Sequence, residues 1–190
     1  MSLPLLMWLA AIPAQPVDAP TAKTEMLGID VPDEFQVGYH ARNQAMEILE
    51  LIEPPETVES WSRMITSQMI FDGAKDGGLE SYHARWRTDL QRACPGMRET
   101  AVRGTVDGRP AKLISVACPK MARTGQAEAF TAFLVEGQAN LMIAQVAFRP
   151  PVTGPDDALI ERIRGSLKVC DERTLSSCSA RKATGFLARD

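Results

Sequence analysis

The stretch ETAVRGTVDGRPAKLISVAC, residues 99–118, decides the fold. Two runs rich in alternating apolar residues, ETAVRGTV and PAKLISVAC, flank Asp107-Gly108. An Asp-Gly pair in that position is a strong hairpin signal, because a two-residue turn of the primed type needs residues that tolerate positive φ. Two antiparallel strands are therefore expected here. The pattern continues downstream, where AFTAFLVE (129–136) and LMIAQVAF (141–148) flank a turn through Gly137 and Gln138. Together these four runs predict a four-strand meander.

Upstream, FQVGYH (35–40) and MEILELI (46–52) read as a further strand pair with a polar turn near Asn43, stopped by Pro54-Pro55. The next segment, ETVESWSRMITSQMI, carries Val58, Trp61, Ile65 and Met69 at spacings of three and four. That period predicts a helix with Thr57 as N-cap and Glu59 and Arg63 as an i,i+4 pair. After the loop DGAKDGG (72–78), a second helix is expected, with Leu79, Tyr82, Trp86, Leu90 and Ala93 as its apolar stripe and Pro95-Gly96 as its stop. RPPVTGPDD breaks the chain again and leads to a last helix. Thr153, Asp156 and Asp157 stand at its positive end, and Leu159, Ile163 and Leu167 form its stripe beside Ile160.

The expected order is β-β-α-α-β-β-β-β-α. Hairpin-linked strands make antiparallel sheet, and helices set between strand groups cover its faces. The fold class is α+β, an antiparallel sheet of about six strands flanked by helices in an α/β/α sandwich. This order resembles the sandwich shared by PsbP, Mog1 and the LpqN-type secreted proteins. The segment ILELIEPPETVESWSRMIT also resembles small exported bacterial proteins, through Glu50, Glu56, Thr57, Val58, Trp61, Met64, Ile65 and Thr66. The resemblance implies a binding or accessory role rather than a shared active site, and it carries over no functional residue.

The chain has 190 residues, enough for one domain with a core of its own. Its net charge of −3 argues against a general nucleic-acid binder. That average hides an asymmetry. Residues 25–59 hold nine acids and one base, whereas residues 85–123 hold nine bases and three acids. Much of this charge is expected to cancel on folding, and the remainder to give two faces of opposite sign.

The N-terminal MSLPLLMWLAAIPA has an apolar run too short to span a bilayer, which takes about 20 residues. It fits a secretory leader cut after Ala14. The expected organisation is a signal peptide over 1–14, a flexible tether over 15–30, a single α+β domain over 31–170 and a tail over 171–190.

Four cysteines, Cys94, Cys118, Cys170 and Cys178, allow three pairings. Cys94 and Cys118 each precede a proline at the end of an element, so the expected pairs are Cys94–Cys118 and Cys170–Cys178. No C-x-x-C spacing points to zinc or to thioredoxin-like chemistry. His40 and His83 are the only histidines and read as surface or half-buried rings. Asp72, Asp76 and Glu80 fail the calcium-loop spacing. Arg85, Arg87, Arg92, Arg98, Arg103 and Arg109 form a basic cluster, read as a solvated face. Arg85, Arg92 and Arg103 in particular offer a weak contact to an anionic surface.

The reading is an exported, periplasmic or secreted binding or accessory protein that acts through protein or small-ligand binding rather than catalysis, with a protein partner expected in the cell envelope. It has no cofactor, no metal, no catalytic residue, no nucleic-acid partner and no transmembrane span. The alternatives are a small secreted hydrolase with a site assembled from distant residues, or a structural subunit of an envelope complex.

Overall fold

The computed structural model describes residues 25–150 and 156–171. The elements in chain order are β1 (Met26–Gly28), β2 (Gln36–Arg42), β3 (Met46–Ile52), β4 (Arg63–Ile70), α1 (Gly78–Ala93), β5 (Arg98–Val106), β6 (Arg109–Cys118), β7 (Glu128–Glu136), β8 (Leu141–Phe148), α2 (Asp157–Ser166) and β9 (Lys168–Cys170). β2 to β8 form one antiparallel sheet in the order β2-β3-β4-β8-β7-β6-β5, and β1 pairs with β9 in a small second sheet.

The decisive hairpin forms as read. Asp107 and Gly108 both have positive φ, 49° and 74°, and Val106 pairs with Arg109 across the turn. The meander β5-β6-β7-β8 folds back so that β8 lies against β4, joining the two halves of the sheet. Side chains then alternate between faces. On β8, Leu141, Ile143 and Ala147 enter one core with Leu79, Ile114 and Leu134. Met142, Ala144, Val146 and Phe148 enter the other core with Leu159, Ile160 and Ile163. α1 covers the first face and α2 the second, with β1 beside it, so the sheet is sandwiched between helices. Among the described residues no helix is long and apolar enough to cross a membrane.

Three expectations are corrected. The helix expected from Thr57 is a turn followed by β4. Thr57 bridges Ser60 in that turn, and Arg63 starts the strand. Arg63 bonds to Glu53 at 2.5 Å and to Asp156 at 3.0 Å rather than to Glu59. Residues 64 to 67 and 69 are buried on both faces of β4, because Met64 enters the core with Leu79 of α1 and Ile65 the core with Leu159 and Ile163 of α2. A strand buried on both faces loses its alternation, and its apolar residues then mimic helical spacing by chance. The sheet consequently has seven strands instead of about six.

The tether expected over 15–30 is also corrected in its described part. Met26, Leu27 and Ile29 are buried. Glu25 accepts backbone hydrogen bonds from Gln138, Ala139 and Asn140 at 2.6, 3.0 and 3.3 Å. This carboxylate satisfies the turn between β7 and β8, and so anchors the chain ahead of β1. The segment expected as a signal peptide lies outside the described residues, as do Thr153 and Cys178.

The third correction concerns charge. The acid-rich stretch builds β1, β2 and β3, whereas the basic stretch builds α1, β5 and β6. β2 and β5 are the two edges of the sheet, so the stretches lie apart instead of cancelling. Among the ion pairs of the described residues, only Glu25–Arg109, at 3.8 Å, joins them.

Candidate functional site

Cys94 caps the C-terminus of α1, and Cys118 is the last residue of β6. They form a disulfide with 5.9 Å between their Cα atoms. Beside it the backbone N–H of Ala122 donates to Ala93 at 2.7 Å, so the chain after β6 straps the end of α1. Cys170 ends β9, is buried and is disulfide-bonded.

Next to the Cys94–Cys118 bridge, the α2 face of β5, β6 and β7 is hollowed out. Strand register explains why. Arg98, Ala117 and Ala129 lie in one cross-strand row, and Thr100, Ser115 and Thr131 in the next. Two alanines side by side leave volume that larger residues would fill. A hollow of about 420 Å³ reaches from this row to the disulfide, and one of about 380 Å³ reaches from it to Asp157 and Ile160 of α2. Arg98, Ala117 and Ala129 line both, so the hollows are contiguous.

The hydroxyl row forms part of the floor, with Ser115 Oγ and Thr131 Oγ1 3.3 Å apart. At the disulfide end Arg149 pairs with Glu128 at 3.1 Å and lies 3.9 Å over the Trp61 ring. That ion pair is internally satisfied. Arg98 is exposed and, among the described residues, has no charged or hydrogen-bonding partner.

The other arginines of the basic cluster are engaged. Arg85 donates to Ser81, Arg92 to Asp89 and Arg103 to Glu80, at 2.7, 2.8 and 3.0 Å. Arg87 approaches Glu99 at 3.7 Å, and Arg109 meets Glu25. The shared basic character read from the sequence therefore separates, among the described residues, into four ion-paired side chains, Arg85 bonded to an uncharged hydroxyl, and Arg98 with neither kind of partner.

The two histidines lie elsewhere. His40, on β2 at the far edge of the sheet, is 2.8 Å from Glu47, a buried carboxylate that also faces Arg42 at 3.4 Å. His83, on α1, sits in a buried relay on the other face. Its Nδ1 is 3.1 Å from Lys112 Nζ and its Nε2 is 3.0 Å from Glu99 Oε1. An ammonium can only donate, so Nδ1 accepts and Nε2–H donates to Glu99. Lys112 also donates to Glu80 at 2.7 Å. Hydrogen bonds from Lys112 and then Arg103 hold the Glu80 carboxyl down at about 2.

Of the loop acids, Asp72 bonds Lys75 at 2.5 Å while Glu80 faces Lys112, so these two carboxylates do not converge. Sequence reading missed Lys112 and the hydroxyl row. Both depend on which strand faces which, although the small residues at Ala117 and Ala129 were a visible hint.

No family model matches the chain, and no curated protein matches it. Among solved structures, one match is LpqN, "involved in cell envelope biogenesis of Mycobacterium tuberculosis". It is 10% identical over 80% of this chain and 87% of that one, with a TM-score of 0.45. Another is PA94 from Pseudomonas aeruginosa, a protein of unknown function titled a putative regulator. It is 13% identical over 83% of this chain and 99% of that one, with a TM-score of 0.41. LpqN is one of the proteins that the order of elements resembles, and at these scores neither match carries an argument about what this chain does.

Proposed function

We propose that this chain is an exported accessory protein that binds a protein partner in the cell envelope through the groove across β5, β6 and β7. The carrying observation is Arg98, an unpaired guanidinium on a floor of alanines and hydroxyls between two contiguous hollows. A free guanidinium beside accessible apolar volume fits a ligand group that brings an anion and some apolar surface. The Cys94–Cys118 disulfide supports an oxidising address, and residues 1–14 are the proposed leader. Arg85, Arg92 and Arg103 stay a secondary, weak contact to an anionic surface, because each already has a partner within the chain.

The test is site-specific photo-crosslinking in cells, with the reactive amino acid at Thr100 in the groove. An envelope protein should be captured, and Ala117→Trp, which fills the floor, should abolish the adduct. Absence of an adduct, or an adduct that survives the plug, would overturn the reading.

A further inference from the structure

α1 covers the sheet over β6 and β7. On the half of that face built from β2, β3 and β4, Ile52 and Met64 are buried in the same core, whereas Tyr39, Glu50 and Gln145 keep part of their surface in solvent. Tyr39, Glu50, Thr66 and Gln145 stand in register across β2, β3, β4 and β8. Four neighbouring strands place them along about 14 Å. Among the described residues, none of the four side chains has a hydrogen-bonding or charged partner. Beside the row, on the same face, Met46, Ile48 and Ile70 are half-exposed.

Taking a carboxylate partly out of water without a compensating cation costs stability. Glu50 is half-buried, and burial raises its pKa above the ordinary 4.5. The neighbouring acids are provided for. Asp30 pairs with Arg162, Glu47 with His40 and Arg42, and Glu53 with Arg63. Glu56 accepts from Ser62. His40 and Arg42 fall on the opposite face, where Glu47 holds them, so they do not serve Glu50.

We propose that this row is a docking site for a polypeptide segment that presents a lysine or arginine side chain to Glu50. The charge matches, because an incoming cation neutralises a carboxylate that the described residues leave uncompensated. Gln145 and Tyr39 take the remaining N–H donors or the peptide groups of the segment, with Thr66 buried between Glu50 and Gln145. Ile48 and Ile70 receive the apolar residues on either side of the cation. The row is too long, and its apolar margin too wide, for a simple amine to fill. This site lies on the opposite face of the sheet from the Arg98 groove and does not rest on it.

The experiment titrates the ¹⁵N-labelled chain with the synthetic peptide acetyl-SLKIS-amide and follows backbone amide shifts. Acetyl-SLEIS-amide, acetyl-SLQIS-amide and butylamine serve as comparisons. The lysine peptide should shift amides of β2, β3, β4 and β8. The glutamate and glutamine peptides should bind about tenfold more weakly or not at all, and Glu50→Gln should cost the lysine peptide about tenfold while Glu50→Asp retains most of the binding. Circular dichroism of each variant shows that the fold is kept. Equal binding of the three peptides, undiminished binding to Glu50→Gln, shifts mapping to β5 and β6, or no shifts at all would each overturn the proposal. Butylamine matching the lysine peptide would overturn the polypeptide as occupant.

Discussion

Glu50 and Glu80 are both carboxylates next to the α1 face, and their surroundings push them in opposite directions. Glu80 is held down at about 2 by Lys112 and Arg103. Its contribution to stability is present above the ordinary value of 4.5 and is lost as pH falls from there toward 2. The Glu80→Gln variant should therefore melt below the parent chain at pH 6, with the gap closing by about pH 2. Glu50 is raised by burial. Its folded form takes up a proton more readily than the unfolded chain, so its contribution is fully present below 4.5 and fades as pH rises through the folded value. Glu50→Gln should accordingly melt above the parent at pH 7 and level with it at low pH. Thermal scans across the two pH ranges check both. A stability gain on replacing Glu50 would be the pattern of a residue kept for binding at the expense of folding. A loss would show that Glu50 has a supporting role in the sheet.

At the scale of elements, the disulfide closes a separation of 24 residues that holds β5 and β6. The chain-entropy account assigns such a loop about 3 kcal/mol. The double variant Cys94→Ala/Cys118→Ala should lose about that much in urea unfolding, and most of the loss should lie in the end of α1 and the strap at Ala122. Hydrogen exchange locates the loss. The hairpin, the meander and both surviving helices were legible because each is specified locally: Asp107-Gly108 sets its own turn, and the Trp86 stripe sets its own face. β4 was not legible. Its residues obey no local period because elements far away in sequence bury both of its faces, Met64 in the core with Leu79 of α1 and Ile65 in the core with Leu159 and Ile163 of α2. β1 is similar, since its three residues are a strand only against β9 and behind the Glu25 latch. The Arg98 groove was half legible. Its arginine stood out as part of a basic cluster, but its freedom depends on which neighbours the other five arginines find. The Glu50 row could not be read at all before the register of four strands was known.

For the whole molecule, the arrangement of strands turns a sequence asymmetry into a spatial one. The acid-rich strands close one edge of the sheet and the basic strands the other, with β4, β8 and β7 between them. α1 covers the basic half of one face, and α2 with β1 covers the middle of the other. Each helix therefore leaves part of a different half-face exposed. The two proposed sites fall on these exposed parts, on opposite faces and toward opposite edges, with the central strands packed between them. Coupling between such sites would need that core to adopt a second packing. Val146, Leu134 and Ile65, each at 0% exposure, leave it little room to do so. Ala117→Trp and Glu50→Gln should therefore act independently. The double variant should match the sum of the single variants in urea unfolding to within about 0.5 kcal/mol. Ala117→Trp should also leave the lysine-peptide titration of the Glu50 row unchanged. A larger departure from additivity, or a plugged groove that weakens the peptide, would mean that the central strands transmit one site's occupancy to the other.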